Sequence, residues 1–271
     1  MELRVKNRID SMFGALAAKH EKALITYIMA GDPDLPTTEM LVKTLAAGGA
    51  DLIELGVPFS DPVADGLAIQ RAGQRSLEAG ASLQAILDLV RSLRQDTEVP
   101  LVLMSYYNPI LQYGLAEFAA QAALVGVDGV IVPDLPLEES VTLAELLAAR
   151  GAYLVPLLAP TSTAAKIAKV AAQAGGFVYC VSLTGVTGTR TELPLNVGEF
   201  LARVRERVPR PLAVGFGIAT PEQARQLSSY TDGVIVGSAI VNLIEQYGAD
   251  KALLHTKIKQ FVANLKAGLK D

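Results

Sequence analysis

The strongest constraint on the fold of this chain is a repeated pattern. Short runs rich in Val, Ile, Leu and Tyr end in Gly, Pro, Asp or Ser, and each is followed by an Ala/Leu-rich stretch with helical spacing. Eight such runs occur, at 24–30, 51–55, 101–106, 129–132, 153–157, 177–181, 212–214 and 233–236. The helical patterns between and after them fall at 36–47, 83–93, 115–124, 138–149, 163–174, 197–208, 221–227 and 249–265. Eight strand–helix units over about 250 residues predict an α/β fold, a closed (β/α)8 or TIM barrel. Continuous apolar runs such as Val234-Ile235-Val236 agree, because parallel barrel strands are covered on both sides. An open doubly wound sheet is the alternative, but the first turn reads AGDPDLP and not G-x-G-x-x-G. No linker or composition break divides residues 1–271, which therefore read as a single domain. Residues 1–23, ahead of the first strand, are expected to pack as an N-terminal helix against the barrel bottom.

Charge and composition narrow the function. Lys plus Arg total 24 against 28 for Asp plus Glu, with no basic block, which argues against nucleic acid or an anionic membrane as partner. The longest uncharged stretch, 170–189, contains four glycines and several hydroxyl side chains, a poor bilayer span. The charged first ten residues do not resemble a secretory signal. Cys180 is the only cysteine, which excludes an internal disulfide and suits a reducing, cytoplasmic setting. His20 and His255 both fall in helical patterns and in no motif, so neither a zinc site nor a Ser-His-Asp triad is expected.

Loops after barrel strands carry chemistry, and one of them is unusually long. Between the second and third strands the chain begins GVPFSDPVADGLAIQRAG, which reads as irregular and as a lid or site element. Just before it, Glu54 interrupts the apolar strand Leu52-Ile53-Glu54-Leu55, and period two puts it on the face of Leu52. Against the helices it would be a buried charge without a partner; in the lumen its pKa would rise and it could serve as acid or base. Asp65, in the loop held by Pro58, Pro62 and Gly66, could share the proton chemistry. Asp32 and Asp134, each beside a proline, read as turn or cap residues. The lysines lie in helices or the N-terminal segment, which argues against a Schiff-base aldolase. After strands seven and eight come Gly215-Phe216-Gly217-Ile218 and Gly237-Ser238-Ala239-Ile240, the second opening a helical turn. Paired glycine turns at these strands make a phosphate cradle. Gly185-Val186-Thr187-Gly188 is a third flexible loop able to close over the same ligand. Tyr27, Met104, Tyr106 and Tyr179 at strand ends could line a flat apolar pocket.

Together AGDP (30–33), ELGVPFSDPVADG (54–66), SLTGVTG (182–188), GFGI (215–218) and GSAIV (237–241) resemble the tryptophan synthase alpha subunit family, in order and spacing, from about residue 20 to residue 245. The resemblance implies a barrel lyase that cleaves indole-3-glycerol phosphate to indole and glyceraldehyde 3-phosphate. No cofactor or metal is implied in this chain. A beta-subunit partner carrying pyridoxal phosphate is implied, in an α2β2 assembly that is cytoplasmic, or stromal in a plastid after removal of a transit peptide. By the same resemblance Glu54 is the general acid/base, working at the indole carbon and the side-chain hydroxyl, and Asp65 stabilises charge at the indole N–H. Tyr179 lies near the reacting centre and Thr187 closes onto Asp65. Gly188, Gly217, Gly237 and Ser238 bind phosphate, while Tyr27 and Met104 line the indole pocket. One departure is Leu67, since the family commonly has proline after ADG. A stand-alone indole lyase, a phosphosugar isomerase and a non-catalytic regulatory barrel are the competing readings.

Overall fold

The computed structural model describes residues 7–181, 197–215 and 217–270. In chain order, α1 (Arg8–Ala18) precedes β1 (Ala23–Met29) and α2 (Leu35–Gly48). Next, β2 (Leu52–Gly56) is followed by two helices, α3 (Leu67–Glu78) and α4 (Leu83–Leu93). β3 (Leu101–Met104) leads into α5 (Tyr107–Tyr113) and α6 (Leu115–Val125), and β4 (Gly129–Ile131) into α7 (Val141–Ala148). β5 (Tyr153–Leu154) and β6 (Leu157–Leu158) come before α8 (Ala164–Gln173), and β7 (Val178–Val181) before α9 (Val197–Arg205). β8 (Leu212–Gly215) is followed by α10 (Pro221–Ser228), and β9 (Gly233–Val236) by α11 (Ser238–Tyr247) and α12 (Lys251–Gly268).

The described strands form one parallel sheet in the order β5-β4-β3-β2-β1-β9-β8-β7-β6. Its two ends are neighbours in the chain, so the ring closes through the backbone. The fifth expected strand, 153–157, is thus two strands, and the reason is Pro156. The Val155 N–H still donates to the Val130 carbonyl at 2.8 Å on one side, and the Pro156 carbonyl accepts from the Tyr179 N–H at 3.0 Å on the other. Having no N–H, Pro156 cannot donate on the β7 side to which its carbonyl turns, and a bond is lost where the strand passes from one ladder to the next. A larger correction concerns residues after β2, which read as irregular: from Leu67 they form the three-turn helix α3. Leu67 occupies its first position, where proline would also fit, and is 63% exposed.

Side chains alternate between two cores, as period two requires. Leu24, Ile28, Ile53, Leu55, Leu101 and Leu103 face the helical shell, while Ile25, Leu52, Val102, Ile131, Val155, Phe177, Ala213 and Ile235 fill the lumen. The expected N-terminal helix is α1. Its Ile9, Phe13 and Leu16 belong to the lumen cluster, and Asn7 donates to the Asp128 and Gly151 carbonyls ahead of β4 and β5. It therefore plugs the end where the strands begin.

That end is also held by three aspartates, each just before or at the start of a strand. Asp51, Asp128 and Asp232 donate their own N–H to the carbonyls of Leu24, Leu101 and Leu212 and accept those residues' N–H on their side chains. Each carboxylate also meets a cation: Lys266, Arg94 and Arg205 respectively. Among the described residues, no helix is long and apolar enough to cross a membrane.

Candidate active site

Glu54 is fully buried in β2. Its register partners are Tyr27 on β1 and Val102 on β3, both on the inner face, which places the carboxyl in the lumen and not against the helices. Neither oxygen has a hydrogen-bond partner among the described residues. Desolvation alone pushes its pKa up to about 8. At neutral pH the group holds a proton that it can give, and it sits close enough to neutrality to take one back.

Asp65 lies at the end of the loop that follows β2, half-buried, with Gly66 as N-cap of α3. The Gln70 side chain, one turn into that helix, donates to the Asp65 carbonyl at 2.8 Å. Burial raises the Asp65 carboxyl, and the Tyr106 hydroxyl opposes that rise. Tyr106 also accepts the Ala64 N–H at 2.9 Å, and its ring stands 5.3 Å from that of Phe59. One tyrosine just after β3 therefore holds the Asp65 loop through its hydroxyl and its ring. From the chain alone Tyr106 is a strand-end aromatic and no more, because its role depends on a loop that folds back onto it.

Tyr27 and Tyr179 complete the polar part of the lumen mouth. Burial holds both hydroxyls well above their usual pKa; the charges of Asp65 and Glu54 add to this for Tyr27, and those of Glu54 and Asp65 for Tyr179. The four groups are thus within electrostatic range of one another. Met104 bridges the lumen cluster and a mouth cluster formed by Tyr27, Met29, Ala68, Ile69, Ala72 and Val241. Gly56 is required here, since a Cβ on it would stand 2.1 Å from the Tyr27 hydroxyl oxygen.

The two glycine turns lie side by side, because β8 and β9 pair. Gly217 has φ +69, in the left-handed region that favours glycine. Gly237 is the N-cap of α11 without a side-chain cap, and Ser238 is the first helical residue. The Ile240 N–H turns back to the Gly237 carbonyl at 2.9 Å, which leaves the N–H groups of Ser238 and Ala239 without an acceptor inside the helix at its positive end, the arrangement that binds anions. A Cβ on Gly237 would make ordinary contact with Tyr27, at 3.4 Å, so the cradle adjoins the pocket floor. Thr187 and Gly188 lie outside the described residues. Asp32 does not act as a turn cap; it is buried in an ion pair with Arg75. The Asp134 side chain accepts the Tyr107 N–H at 2.9 Å and ties the β4 loop to the start of α5.

Comparison with known proteins places the chain in a family. A family model described as tryptophan synthase alpha chain matches residues 13–270. The tryptophan synthase alpha chain of Geotalea uraniireducens is 51% identical over 264 residues, covering 97% of this chain and 98% of that one. That of Carboxydothermus hydrogenoformans is 48% identical, over 98% of this chain and 99% of its own. Among solved structures, tryptophan synthase subunit alpha from Legionella pneumophila superposes with a TM-score of 0.91 at 38% identity, covering 98% and 99% of the two chains. A tryptophan synthase complex from Pyrococcus furiosus gives 0.84 at 35% identity, covering 91% and 99%. A lumen carboxyl without a partner, a second carboxylate on the following loop and a glycine cradle on the same rim thus stand in a chain that belongs to the tryptophan synthase alpha chain family.

Proposed function

We propose that this chain cleaves indole-3-glycerol phosphate to indole and glyceraldehyde 3-phosphate, as the alpha subunit of tryptophan synthase in tryptophan biosynthesis. The observation that carries the reading is the Glu54 carboxyl, buried in the lumen with no protein partner. A fold retains such a group at a cost, and a substrate is the partner it lacks. The protonated carboxyl delivers its proton to indole C3, while Asp65 accepts the indole N–H and stabilises the positive charge that develops on the ring. The resulting Glu54 carboxylate then takes the proton of the adjacent side-chain hydroxyl. The bond from C3 to the carbinol carbon breaks, its electrons restore the indole, and the former alcohol leaves as the aldehyde. Glu54 ends protonated, as it began, so the cycle needs no cofactor.

Tyr27, Met104 and Tyr179 sandwich the indole, and Gly217, Gly237 and Ser238 hold the phosphate, with Thr187 and Gly188 assigned to the same substrate site by the family's SLTGVTG motif. Residues 1–271 act as one unit in the cytoplasm. The partner is a beta subunit bearing pyridoxal phosphate, in an α2β2 assembly. Support comes from a neighbour of this fold, the Pyrococcus furiosus protein, whose solved structure is a tryptophan synthase complex. The deciding experiment incubates purified protein with indole-3-glycerol phosphate and measures indole, with a beta-type subunit titrated in. Parent protein should release indole and Glu54→Gln almost none. Equal turnover by a folded Glu54→Gln variant would remove Glu54 from the mechanism.

A further inference from the structure

Between the Asp65 loop and the phosphate cradle lies α3, which packs over the mouth of the lumen. Its inner face is Ala68, Ile69, Ala72, Gly73 and Ser76, with one large apolar side chain among them. Small residues let α3 approach β1 and α11 closely, so that a Cβ on Gly73 would touch the Met29 methyl at 3.5 Å. They also give little interdigitation to stop the helix sliding or turning. What fixes it is a four-charge network on its outer edge. Arg75 donates two parallel hydrogen bonds, both 2.8 Å, to the carboxylate of Asp32, which follows β1. Its remaining arm reaches Glu245 on α11 at 2.9 Å. Arg71, one turn earlier, grips both oxygens of the same Glu245 at 2.8 and 2.7 Å. The Ser76 hydroxyl adds a bond to the Ala30 carbonyl at 2.5 Å.

We propose that Arg75 is a positioning residue for the lyase reaction: by bridging Asp32 and Glu245 it locks α3 to β1 and α11, and so sets Asp65 relative to the phosphate cradle. The proposal rests on the functional reading above. Its logic is the rigid link at either end of α3. The Asp65 carbonyl is tied to the first turn through Gln70, and Glu245 belongs to the helix whose first residues are Ser238 and Ala239. A substrate held by its phosphate at one end and its indole N–H at the other needs that spacing kept to a fraction of an ångström. Bidentate guanidinium pairing supplies direction as well as attraction, which a lysine cannot match. The network balances two positive against two negative charges, and Asp32 is 1% exposed. Removing the guanidinium outright leaves that carboxylate uncompensated.

Two milder variants therefore carry the test. Glu245→Ala removes the link to α11 at an exposed position, and Arg75→Lys keeps the charge and loses the fork. Both should reduce kcat for indole release tenfold or more with KM changed less than threefold. Glycerol 3-phosphate should still bind at one per chain by calorimetry, which shows that the missing turnover is not missing folded protein. Arg75→Met combined with Asp32→Asn, which leaves no unpaired buried charge, should be no better than Arg75→Lys. Without substrate, amide exchange in residues 66–72 should quicken in both single variants. Parent-like turnover, or unchanged exchange in that segment, overturns the proposal. A parent protein that makes no indole refutes the functional reading instead, and the exchange experiment still decides the lock.

Discussion

At the scale of a single residue, the Glu54 carboxyl, buried without a partner among the described residues, works against stability. Its pKa of about 8, against an ordinary 4.5, means that at pH 7 the folded chain holds a proton the unfolded chain has released. The penalty is on the order of 3 kcal/mol at that pH. Its sign is definite. Below pH 4.5 both states are protonated and nothing is lost; between 4.5 and about 8 each step up in pH lowers stability; above about 8 the loss is complete. Glutamine mimics the protonated form and does not titrate, so Glu54→Gln should be more stable than the parent at pH 8 and close to it at pH 5. Urea unfolding at the two pH values measures this, and a difference that stays flat between them would contradict the raised pKa. Glu54 was legible from the chain because a carboxylate inside an apolar strand has few innocent explanations. Tyr106, Gln70 and Gly56 were not, because their work depends on contacts between segments distant in the sequence or across a turn. Period two leaves a strand glycine and a strand-end tyrosine looking ordinary.

Among elements, the strands were easy to read and α3 was not, for one physical reason. The strands stand out as runs of large apolar residues, whereas the buried face of α3 has Ile69 as its one large apolar side chain beside alanine, glycine and serine, and a Pro- and Asp-rich loop precedes it. The helical spacing of α3 is there in the chain, but the prolines, aspartates and glycine ahead of Leu67 make the whole stretch read as one irregular loop. Asp32 was misjudged in the same way, since its partner Arg75 sits on the helix that went unseen. The three aspartate clamps at the strand beginnings share a backbone geometry but not an environment, and that difference decides their worth. Arg94 and Asp128 are 10% and 4% exposed, whereas Arg205 and Asp232 are 42% and 37% exposed. Burial holds the Asp128 carboxyl above its usual range despite two arginines, so the pair as a whole adds little. Breaking it is another matter, because Arg94 would remain buried and charged. Asn keeps an acceptor for the strand N–H, so only the ionic part is lost. Asp128→Asn should cost about 3–5 kcal/mol, and Asp232→Asn about 1 kcal/mol or less. Comparable losses in chemical denaturation would mean that the backbone clamp, not the buried charge, is what matters.

Across the whole molecule, the barrel divides its duties between its two ends. Strand beginnings carry the aspartate clamps and the α1 plug; strand ends carry Glu54, the Asp65 loop and the glycine turns. Between them lies a layer of Ile25, Leu52, Ala213 and Ile235, with no titratable group. Phe13 of α1 is 6% exposed and its ring meets that of Phe177 with centroids 5.8 Å apart, so it fills the lumen from below. Truncating a buried phenylalanine costs about 3–5 kcal/mol. In a chain of this size that lowers the melting temperature by on the order of 10 °C. The apolar layer passes on packing, and its residues Ile25, Leu52, Ala213 and Ile235 carry no side-chain group that could relay a charge or a hydrogen bond to the mouth. Phe13→Ala should therefore melt early and yet, at 25 °C, release indole with the parent's kcat and KM per folded molecule. Thermal unfolding followed by circular dichroism and steady-state assays on the same preparation would check both halves. If kcat falls in parallel with the melting temperature while the protein is still fully folded, the plug tunes the catalytic mouth through the lumen, and the two ends are not independent.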